Sequence, residues 1–247
     1  MRQLLLVRHG ESRWNAEGRI QGQSCAGLSE RGWAQAEALA QTYGPLLAES
    51  AAAGRLRLVS SDLQRATETA APLAAQLGLE PALDPALRER SFGTWEGRSH
   101  TELEAEEAAR WARWTSGEDI MREIGAETAL ELATRAAEAF QRALAATPTG
   151  GVAVVISHGG SIWHGLHRLL ELAPRSLGPV GNASVAALLQ LVPDDGGALD
   201  PHVAAAAAGA SARPVLATYN DLAHLPAALR TGGFAAGART DAVPQMR

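Results

Sequence analysis

The chain has 247 residues, of which 46% are hydrophobic and 20% are charged, and its formal net charge is −5. This length accommodates one α/β domain with a sizeable core, and the composition is that of an ordinary globular protein. The mildly acidic charge argues against nucleic acid or an anionic membrane as the main partner, although local basic groups can still hold a small anionic substrate.

The predicted elements begin with a buried strand at residues 3–8, where apolar residues stand in a row and run directly into Arg8 and His9. Residues 10–28 are expected to form a loop, after which Ser29 caps a helix. The apolar residues of that helix recur at helical spacing and are Trp33, Ala36, Leu39 and Ala40.

A second strand and three helices are predicted next along the chain. Residues 55–61 form the strand, and residues 63–78 form a helix that Pro72 kinks or restarts, because proline lacks a backbone N–H. Two further helical patterns occupy residues 99–115 and 127–146.

The last third of the chain contains three predicted strands. A continuous β-branched run at 152–157 is typical of a strand covered on both faces, and a helix at 161–172 follows it. Residues 184–192 and 214–220 are predicted strands towards the edge of the sheet. Strands that alternate with helices predict a three-layer α/β/α sandwich, with helices on both faces of a mostly parallel central sheet of about six strands.

The domain organisation is expected to be simple, with residues 1–230 as a single domain. The alanine-rich segment 193–212 is expected to be a flexible excursion, and residues 231–247 a flexible tail, because neither shows periodicity. The polar connection at 115–126 is expected to cover a site.

The residue types exclude several kinds of chemistry. All 22 basic residues are arginine, so lysine Schiff-base and Walker-type chemistry is excluded. Cys25 is the single cysteine, which excludes an intrachain disulfide and a cysteine-rich metal site. The first strand leaves no room for a signal peptide, and no apolar run approaches the roughly 18 residues of a membrane helix. We therefore expect a cytoplasmic protein with no membrane partner.

Polar side chains follow the predicted strands at one edge of the sheet. Arg8 and His9 come directly after the first strand, and His158 follows the strand at 152–157. Ligands of parallel α/β sheets bind outside the carboxyl ends of the strands, so these residues are expected to share one crevice. Arg65 on the next helix, and the N-terminus of the helix from Ser161, complete a site suited to a doubly charged phosphate.

A histidine beside two permanent cations is expected to stay neutral, because nearby positive charge lowers its pKa. A neutral His9 ring keeps a lone pair and can accept a phosphoryl group. The leaving alkoxide then needs a proton, and residues 87–97 offer Glu89 and Glu96 as the acid. Spacing alone does not decide between the two glutamates.

Five segments together resemble the histidine phosphatase superfamily, also called the phosphoglycerate-mutase-like family, and within it the bacterial phosphatases. They are L-V-R-H-G-E-S with W-N (6–15), GRIQGQ and LSERG (18–32), SSDLQRATETA (60–70), LRERSFGTWEG (87–97) and ISHGG (156–160). The segments occur in the family's order and span most of residues 3–170.

The resemblance implies that His9 is the phosphorylated nucleophile, that Arg8, Arg65 and His158 clamp the phosphoryl group, and that Glu89 is preferred over Glu96 as the proton donor. It implies substrate contacts by a further set, namely Asn15, Gln21, Gly22 and, from the segment GNAS, Asn182. It also implies no cofactor and no metal, with a small phosphorylated metabolite as the partner. A homodimer is common among relatives, but the sequence identifies no interface.

Structural interpretations compete with some of these roles. Asn15 could simply cap a turn, and Glu89 could form an ion pair with Arg88 or Arg90. A pair three residues apart, His164 and His167, could hold a metal, but no carboxylate pair or cysteine lies nearby. Helical spacing favours core positions over a substrate wall for two tryptophans, Trp111 and Trp114. The sequence also departs from the family at residues 25–27, which replace D-x-P, and at GAET (125–128).

Three functions compete: a metal-independent phosphatase, a phosphoglycerate mutase, and a phosphate-binding or interaction domain with a weak site. The family's mutases resemble one another in using a lysine within a basic insertion for the substrate carboxylate, whereas this chain has no lysine and is acid-rich over residues 99–127. Family mutases also tend to show His-Gly-Asn where this chain has Gly160. The phosphatase is preferred.

Overall fold

The structure is a computed structural model that describes residues 1–24, 26–192 and 213–231. The strands are β1 (Arg2–Arg8), β2 (Leu56–Ser60), β3 (Ala82–Leu83), β4 (Val152–Ser157), β5 (Val185–Gln190) and β6 (Val215–Asp221). The helices are α1 (Arg13–Ala16), α2 (Glu30–Ala52), α3 (Gln64–Leu77), α4 (His100–Glu106), α5 (Ala108–Thr115), α6 (Ala129–Ala145) and α7 (Gly159–Leu169).

The six strands form one sheet in the order β3-β2-β4-β1-β5-β6. The strands β1 to β4 pair in parallel, while β5 runs antiparallel to β1 and β6 antiparallel to β5. This confirms the predicted mostly parallel sheet. The register of β1 and β4 ends with Arg8 opposite Ser157, so the residues that follow, His9 and His158, leave the sheet side by side.

The side chains of β1 point alternately into two apolar layers. Leu4 and Leu6 pack in one cluster with residues of α6 and α7, such as Phe140, while Leu5 and Val7 pack in another with residues of α2 and α3. Each cluster buries one face of the sheet, and burial of apolar area is the main force that holds the layers together. The three-layer sandwich is confirmed.

A third apolar cluster lies over residues 92–126. Its centre is Trp95, which is fully buried, and Trp111 and Trp114 pack against it with ring centroids 5.9 and 5.6 Å away. Both tryptophans are themselves only partly buried, so they pack at the edge of this cluster and do not occupy fully buried core positions. Much of the connection at 115–126 joins this cluster through apolar residues, namely Ile120, Met121, Ile124 and Ala126.

Several local expectations are corrected. The expected loop at 10–28 contains the short helix α1, because Ser12 and Asn15 form a capping box there. The helical pattern at 99–115 is interrupted at Glu107, which ends α4 and precedes α5. Pro72 does not restart α3, because the helix packs its buried residues against the sheet on both sides of the proline.

Three further differences are smaller. Trp33 is 40% exposed, so it does not belong to the buried stripe of α2. The two-residue edge strand β3 has no apolar pattern that could have predicted it. Helix α7 begins at Gly159, two residues before the predicted start. The segments 193–212 and 232–247, and Cys25, lie outside the described residues, and no described helix is long and apolar enough to cross a membrane.

Candidate active site

The carboxyl ends of β1, β2 and β4 bring the two predicted histidines together. The backbone N–H of His9 donates to the Ser157 carbonyl at 2.9 Å, and the N–H of Ser61 donates to the Ile156 carbonyl at 2.9 Å. These bonds continue the strand pairing one residue beyond the sheet. The rings of His9 and His158 are consequently stacked obliquely, with centroids 5.1 Å apart, and both residues are buried.

Arg65 lies between the two histidines and is fully buried. Its Nε–H is shared by His9 Nε2 at 3.3 Å and His158 Nδ1 at 3.2 Å. A guanidinium can only donate, so both of these ring nitrogens act as acceptors and carry a lone pair. The arginine therefore fixes the tautomer of two rings at once.

His9 completes this assignment on its other nitrogen. Its Nδ1–H donates to the Gly10 carbonyl at 2.6 Å, which leaves Nε2 as the nitrogen with the lone pair. Burial, together with the positive charges of Arg65 and Arg8, lowers the pKa of His9 well below the ordinary value of 6.5. The ring is therefore neutral at neutral pH and keeps a lone pair on Nε2, as the sequence predicted.

His158 has a partner that the sequence did not reveal. Its Nε2–H donates to Ser61 Oγ at 2.8 Å, and burial and Arg65 lower its pKa well below 6.5. Ser61 could have been singled out only as a polar residue immediately beyond β2. A bond of this kind orients the ring but leaves its Nδ1 side facing Arg65 and His9.

Arg8 supplies the second buried guanidinium of the site. Its Nη1–H donates to the Val180 carbonyl at 2.5 Å. Burial lowers the pKa of Arg8 to about 10, although the negative charge of Glu89 acts in the opposite direction. The group therefore remains a cation at neutral pH, and the centre of the site carries two guanidinium charges beside two neutral imidazoles.

Glu89 stands at the N-terminus of α7. Its Oε2 accepts from the Gly160 N–H at 3.0 Å and its Oε1 from the Arg90 N–H at 2.8 Å. The competing ion pairs are not observed among the described residues, because Arg88 pairs with Asp62 at 2.5 Å and Arg90 donates to a backbone carbonyl. Because α7 begins two residues earlier than predicted, one N–H of its N-terminus, that of Gly160, binds the Glu89 carboxylate. The sequence had assigned this helix N-terminus to the phosphate.

Comparison with known proteins agrees with this geometry. Residues 4–199 match the family model of the histidine phosphatase superfamily (branch 1), and this range includes every residue of the candidate site named above. The chain belongs to the histidine phosphatase superfamily. Its enzyme class is that of the phosphoric monoester hydrolases.

Two curated relatives and one solved structure illustrate the likeness. This histidine phosphatase is 34% identical over 196 residues to glucosyl-3-phosphoglycerate phosphatase of Mycobacterium tuberculosis, covering 74% of the chain and 83% of the relative. It is 36% identical over 159 residues to the probable phosphoglycerate mutase GpmB of Erwinia tasmaniensis, covering 64% and 70%. A structure of a mycobacterial glucosyl-3-phosphoglycerate phosphatase in complex with VO3 superposes with a TM-score of 0.67 at 30% identity, covering 89% of this chain and 99% of the other.

Three of the four expected substrate contacts of this histidine phosphatase form a connected group beside His9, while the fourth, Gly22, accepts from Arg65. Asn182 Nδ2 donates to the His9 carbonyl at 3.2 Å and to Asn15 Oδ1 at 3.3 Å. Asn15 also completes the cap of α1 with Ser12, so the capping interpretation is correct for its Oδ1. Gln21 joins the group because its Oε1 accepts from Ser12 Oγ at 2.6 Å.

Glu96 has surroundings quite different from those of Glu89. It lies under the loop of residues 22–24 and accepts four hydrogen bonds from the backbone and from one hydroxyl. Burial raises its pKa, but the bonds from Ser24, Phe92 and Gln23 outweigh this effect, so the pKa is lowered overall. The geometry thus separates the two glutamates that spacing alone left equivalent.

The two histidines considered as a metal site, His164 and His167, have surroundings of a different kind. His167 stacks on Trp163 with centroids 3.9 Å apart and its Nδ1–H donates to the Trp163 carbonyl at 2.7 Å. Burial lowers the pKa of His164 to about 3. Within residues 1–24, 26–192 and 213–231, no three histidine, cysteine or carboxylate side chains cluster as metal ligands.

Proposed function

We propose that this chain is a phosphomonoesterase that works without a metal and forms a phosphohistidine on His9. The observation that carries the proposal is the Nε2 lone pair of His9, which is buried between two guanidinium groups and a second neutral imidazole. A dianionic phosphoryl group is attracted by Arg8 and Arg65, and their charges stabilise the negative oxygens of the transition state.

The proposed reaction has two displacements. In the first, His9 Nε2 forms a bond to phosphorus while the bond to the ester oxygen breaks, and Glu89 gives its proton to that oxygen. In the second, the Glu89 carboxylate takes a proton from water as the water oxygen attacks phosphorus. The N–P bond breaks, the lone pair returns to His9, and inorganic phosphate leaves.

We propose small metabolites with a phosphate ester as the substrates. The mycobacterial relative is named as a phosphatase of glucosyl-3-phosphoglycerate. The similarity of this chain to it covers 83% of that relative's length, which supports a substrate of comparable size. We propose that four residues contact the substrate. Asn182 donates to the His9 carbonyl and Gly22 accepts from Arg65, while Asn15 and Gln21 are joined to them through Asn182 and Ser12.

Mutase chemistry is the second candidate, because curated relatives include probable phosphoglycerate mutases. A mutase has to hold the substrate carboxylate with a cation and exclude water. All three arginines of residues 98–113 are engaged in ion pairs with glutamates. Arg98 pairs with Glu106 and Glu107, Arg110 with Glu107 and Glu123, and Arg113 with Glu118 and Glu123. This engagement favours water as the acceptor.

We also propose that residues 1–230 act as a single domain and that the protein is cytoplasmic. The two larger apolar clusters lie on opposite faces of the same sheet, which supports the first point. The presence of a single cysteine suits a reducing compartment and supports the second.

Hydrolysis of p-nitrophenyl phosphate in the presence of EDTA tests the proposal. Turnover that EDTA does not reduce, together with an acid-labile phosphoenzyme that His9→Ala abolishes, is the expected result. A folded protein that binds orthovanadate but shows no turnover would instead indicate a binding domain. Phosphate transfer to a second small alcohol in preference to water would indicate the mutase.

A further inference from the structure

The guanidinium of Arg65 is oriented by one short loop, residues 22–24. Its Nη2–H donates to the Gly22 carbonyl at 2.7 Å and its Nη1–H to the Ser24 carbonyl at 2.9 Å. Because both terminal nitrogens are directed towards this loop, the position of the loop decides where Nε lies relative to His9 and His158. An arginine side chain has no such preference by itself, since it has many rotamers.

The Glu96 carboxylate in turn holds the backbone of the loop from the other side, while the Gln23 side chain adds two longer bonds, to the Glu89 carbonyl at 3.3 Å and from Arg88 at 3.4 Å. Glu96 Oε1 accepts from the Gln23 N–H at 3.0 Å, and Oε2 accepts from the Ser24 N–H at 3.0 Å and the Ser24 hydroxyl at 2.7 Å. A further bond from the Phe92 N–H at 2.9 Å anchors Glu96 in its own segment. Bonds to an ionised acceptor are the stronger kind, and the low pKa of Glu96 keeps it ionised at neutral pH.

The close approach of Glu96 requires a glycine in the loop. Gly22 has a φ of +54°, a backbone conformation that residues with a side chain rarely adopt. A Cβ atom at this position would also lie only 2.1 Å from Glu96 Oε1. The carboxylate and the glycine therefore fit each other, and together they aim the carbonyls of the loop towards Arg65.

We propose that Glu96 is a positioning residue for phosphoryl binding, which acts on Arg65 through the backbone of residues 22–24. It is not in contact with the reacting atoms, and it supplies no proton to them. The inference rests on the proposed function, because it assigns Arg65 to the phosphoryl group. It divides the two glutamates of residues 87–97 into a proton donor, Glu89, and a scaffold for the anion site, Glu96.

The substitution Glu96→Gln tests this role, because it keeps the shape but turns an amide N–H₂ towards N–H groups of the loop. We expect kcat/KM for p-nitrophenyl phosphate to fall about tenfold to hundredfold, since a displacement of about 1 Å in a binding group has effects of this size. The inhibition constant of orthovanadate is expected to rise by about the same factor, because the anion site itself is misplaced.

A double-mutant cycle distinguishes positioning from a general structural role. In an Arg65→Ala background, Glu96→Gln is expected to change kcat/KM less than twofold, because its route to the substrate is already removed. An equal loss in both backgrounds would overturn the inference, and so would wild-type orthovanadate inhibition in Glu96→Gln. A side-chain control, Gln23→Ala, removes the longer side-chain bonds of the loop to the Glu89 carbonyl and to Arg88 but keeps the backbone bond to Glu96. It is therefore expected to leave orthovanadate inhibition near the wild-type value.

A milder variant covers the case in which Glu96→Gln does not fold. Ser24→Ala removes the hydroxyl bond to Glu96 but keeps the Ser24 carbonyl on Arg65, and an increase of about threefold in the orthovanadate constant is expected. An unchanged constant would refute the positioning role. Failure of the wild-type enzyme to hydrolyse p-nitrophenyl phosphate or to bind orthovanadate would instead refute the proposed function, so the two failures are distinguishable.

Discussion

Replacing Glu89 with glutamine isolates the proton donation to the leaving group, because the substitution keeps the size of the side chain and removes its acidic proton. The local structure is expected to survive. Arg135 pairs with Glu127 at 2.7 Å and donates to the carbonyls of Ala86 and Arg88, each at 2.8 Å, so the backbone beside Glu89 is held independently of its carboxyl group. The amide oxygen can still accept from either the Gly160 or the Arg90 N–H.

The magnitude follows from the need for the proton. A positioned general acid contributes about 10²–10⁴ in rate, equivalent to roughly 2.7–5.4 kcal/mol of the barrier. An alkoxide leaving group needs this proton in the transition state, whereas p-nitrophenolate is stable as an anion and needs it little. In the proposed mechanism Glu89 also acts as the base in hydrolysis of the phosphoenzyme, and this step enters kcat but not kcat/KM. Glu89→Gln is therefore expected to lower kcat/KM for an alkyl phosphate by about 10²-fold or more and kcat/KM for p-nitrophenyl phosphate by less than about tenfold.

The assay compares kcat/KM for an alkyl phosphate, such as glycerol 2-phosphate, with kcat/KM for p-nitrophenyl phosphate in the wild type and the variant. The matched control is Glu96→Gln, the same chemical change seven residues further along, which is expected to reduce both activities by a similar factor. Equal losses on both substrates in Glu89→Gln would show that Glu89 is not the acid. A selective loss of alkyl phosphate hydrolysis in Glu96→Gln would reverse the assignment.

Three other predictions concern ionisation and packing. First, folding lowers the pKa of His9, His158 and His164, so the unfolded chain binds more protons than the folded one below pH 6.5. The free energy of unfolding should therefore decrease as the pH falls from 6.5, by up to about 1.4 kcal/mol per pH unit for each histidine. Urea titrations at pH 7.5, 6 and 5 measure this, and a stability that rises on acidification would contradict the buried neutral histidines. Second, since His9 loses its nucleophilic form only well below pH 6.5, kcat/KM corrected for substrate ionisation should show no acid limb with an apparent pKa near 6.5. Third, Gly165→Ala places a Cβ 2.5 Å from Phe140 Cε2 at the contact of α6 and α7, so it should destabilise the fold by about 1–3 kcal/mol with kcat unchanged, and an unaltered Tm would refute the tight packing.

Much of the fold was predictable because its signals are local. The β-branched run of β4 and the apolar run of β1 are typical of central strands, because both faces of such a strand are buried. These patterns can be read from the residues of each run alone. The capping residues also act locally, and Ser29 begins α2 as expected. Pro72 and the edge strand β3 were not predictable, because packing against the sheet decides whether a helix continues through a proline and whether two residues pair with β2.

The sequence by itself determined which groups meet at the site, because parallel strands end at one edge and carry His9 and His158 there with Arg8. Residue spacing alone could not assign tautomers, separate Glu89 from Glu96 or find Ser61. Those properties depend on hydrogen bonds between residues that are far apart along the chain, such as the bond from Arg65 to the carbonyl of Gly22 and that from His158 to Ser61. Strand order and burial bring such groups within 3 Å of each other. Only at that distance do the angle of the hydrogen bond and the charge of its partners decide which atom donates the bond and which accepts it.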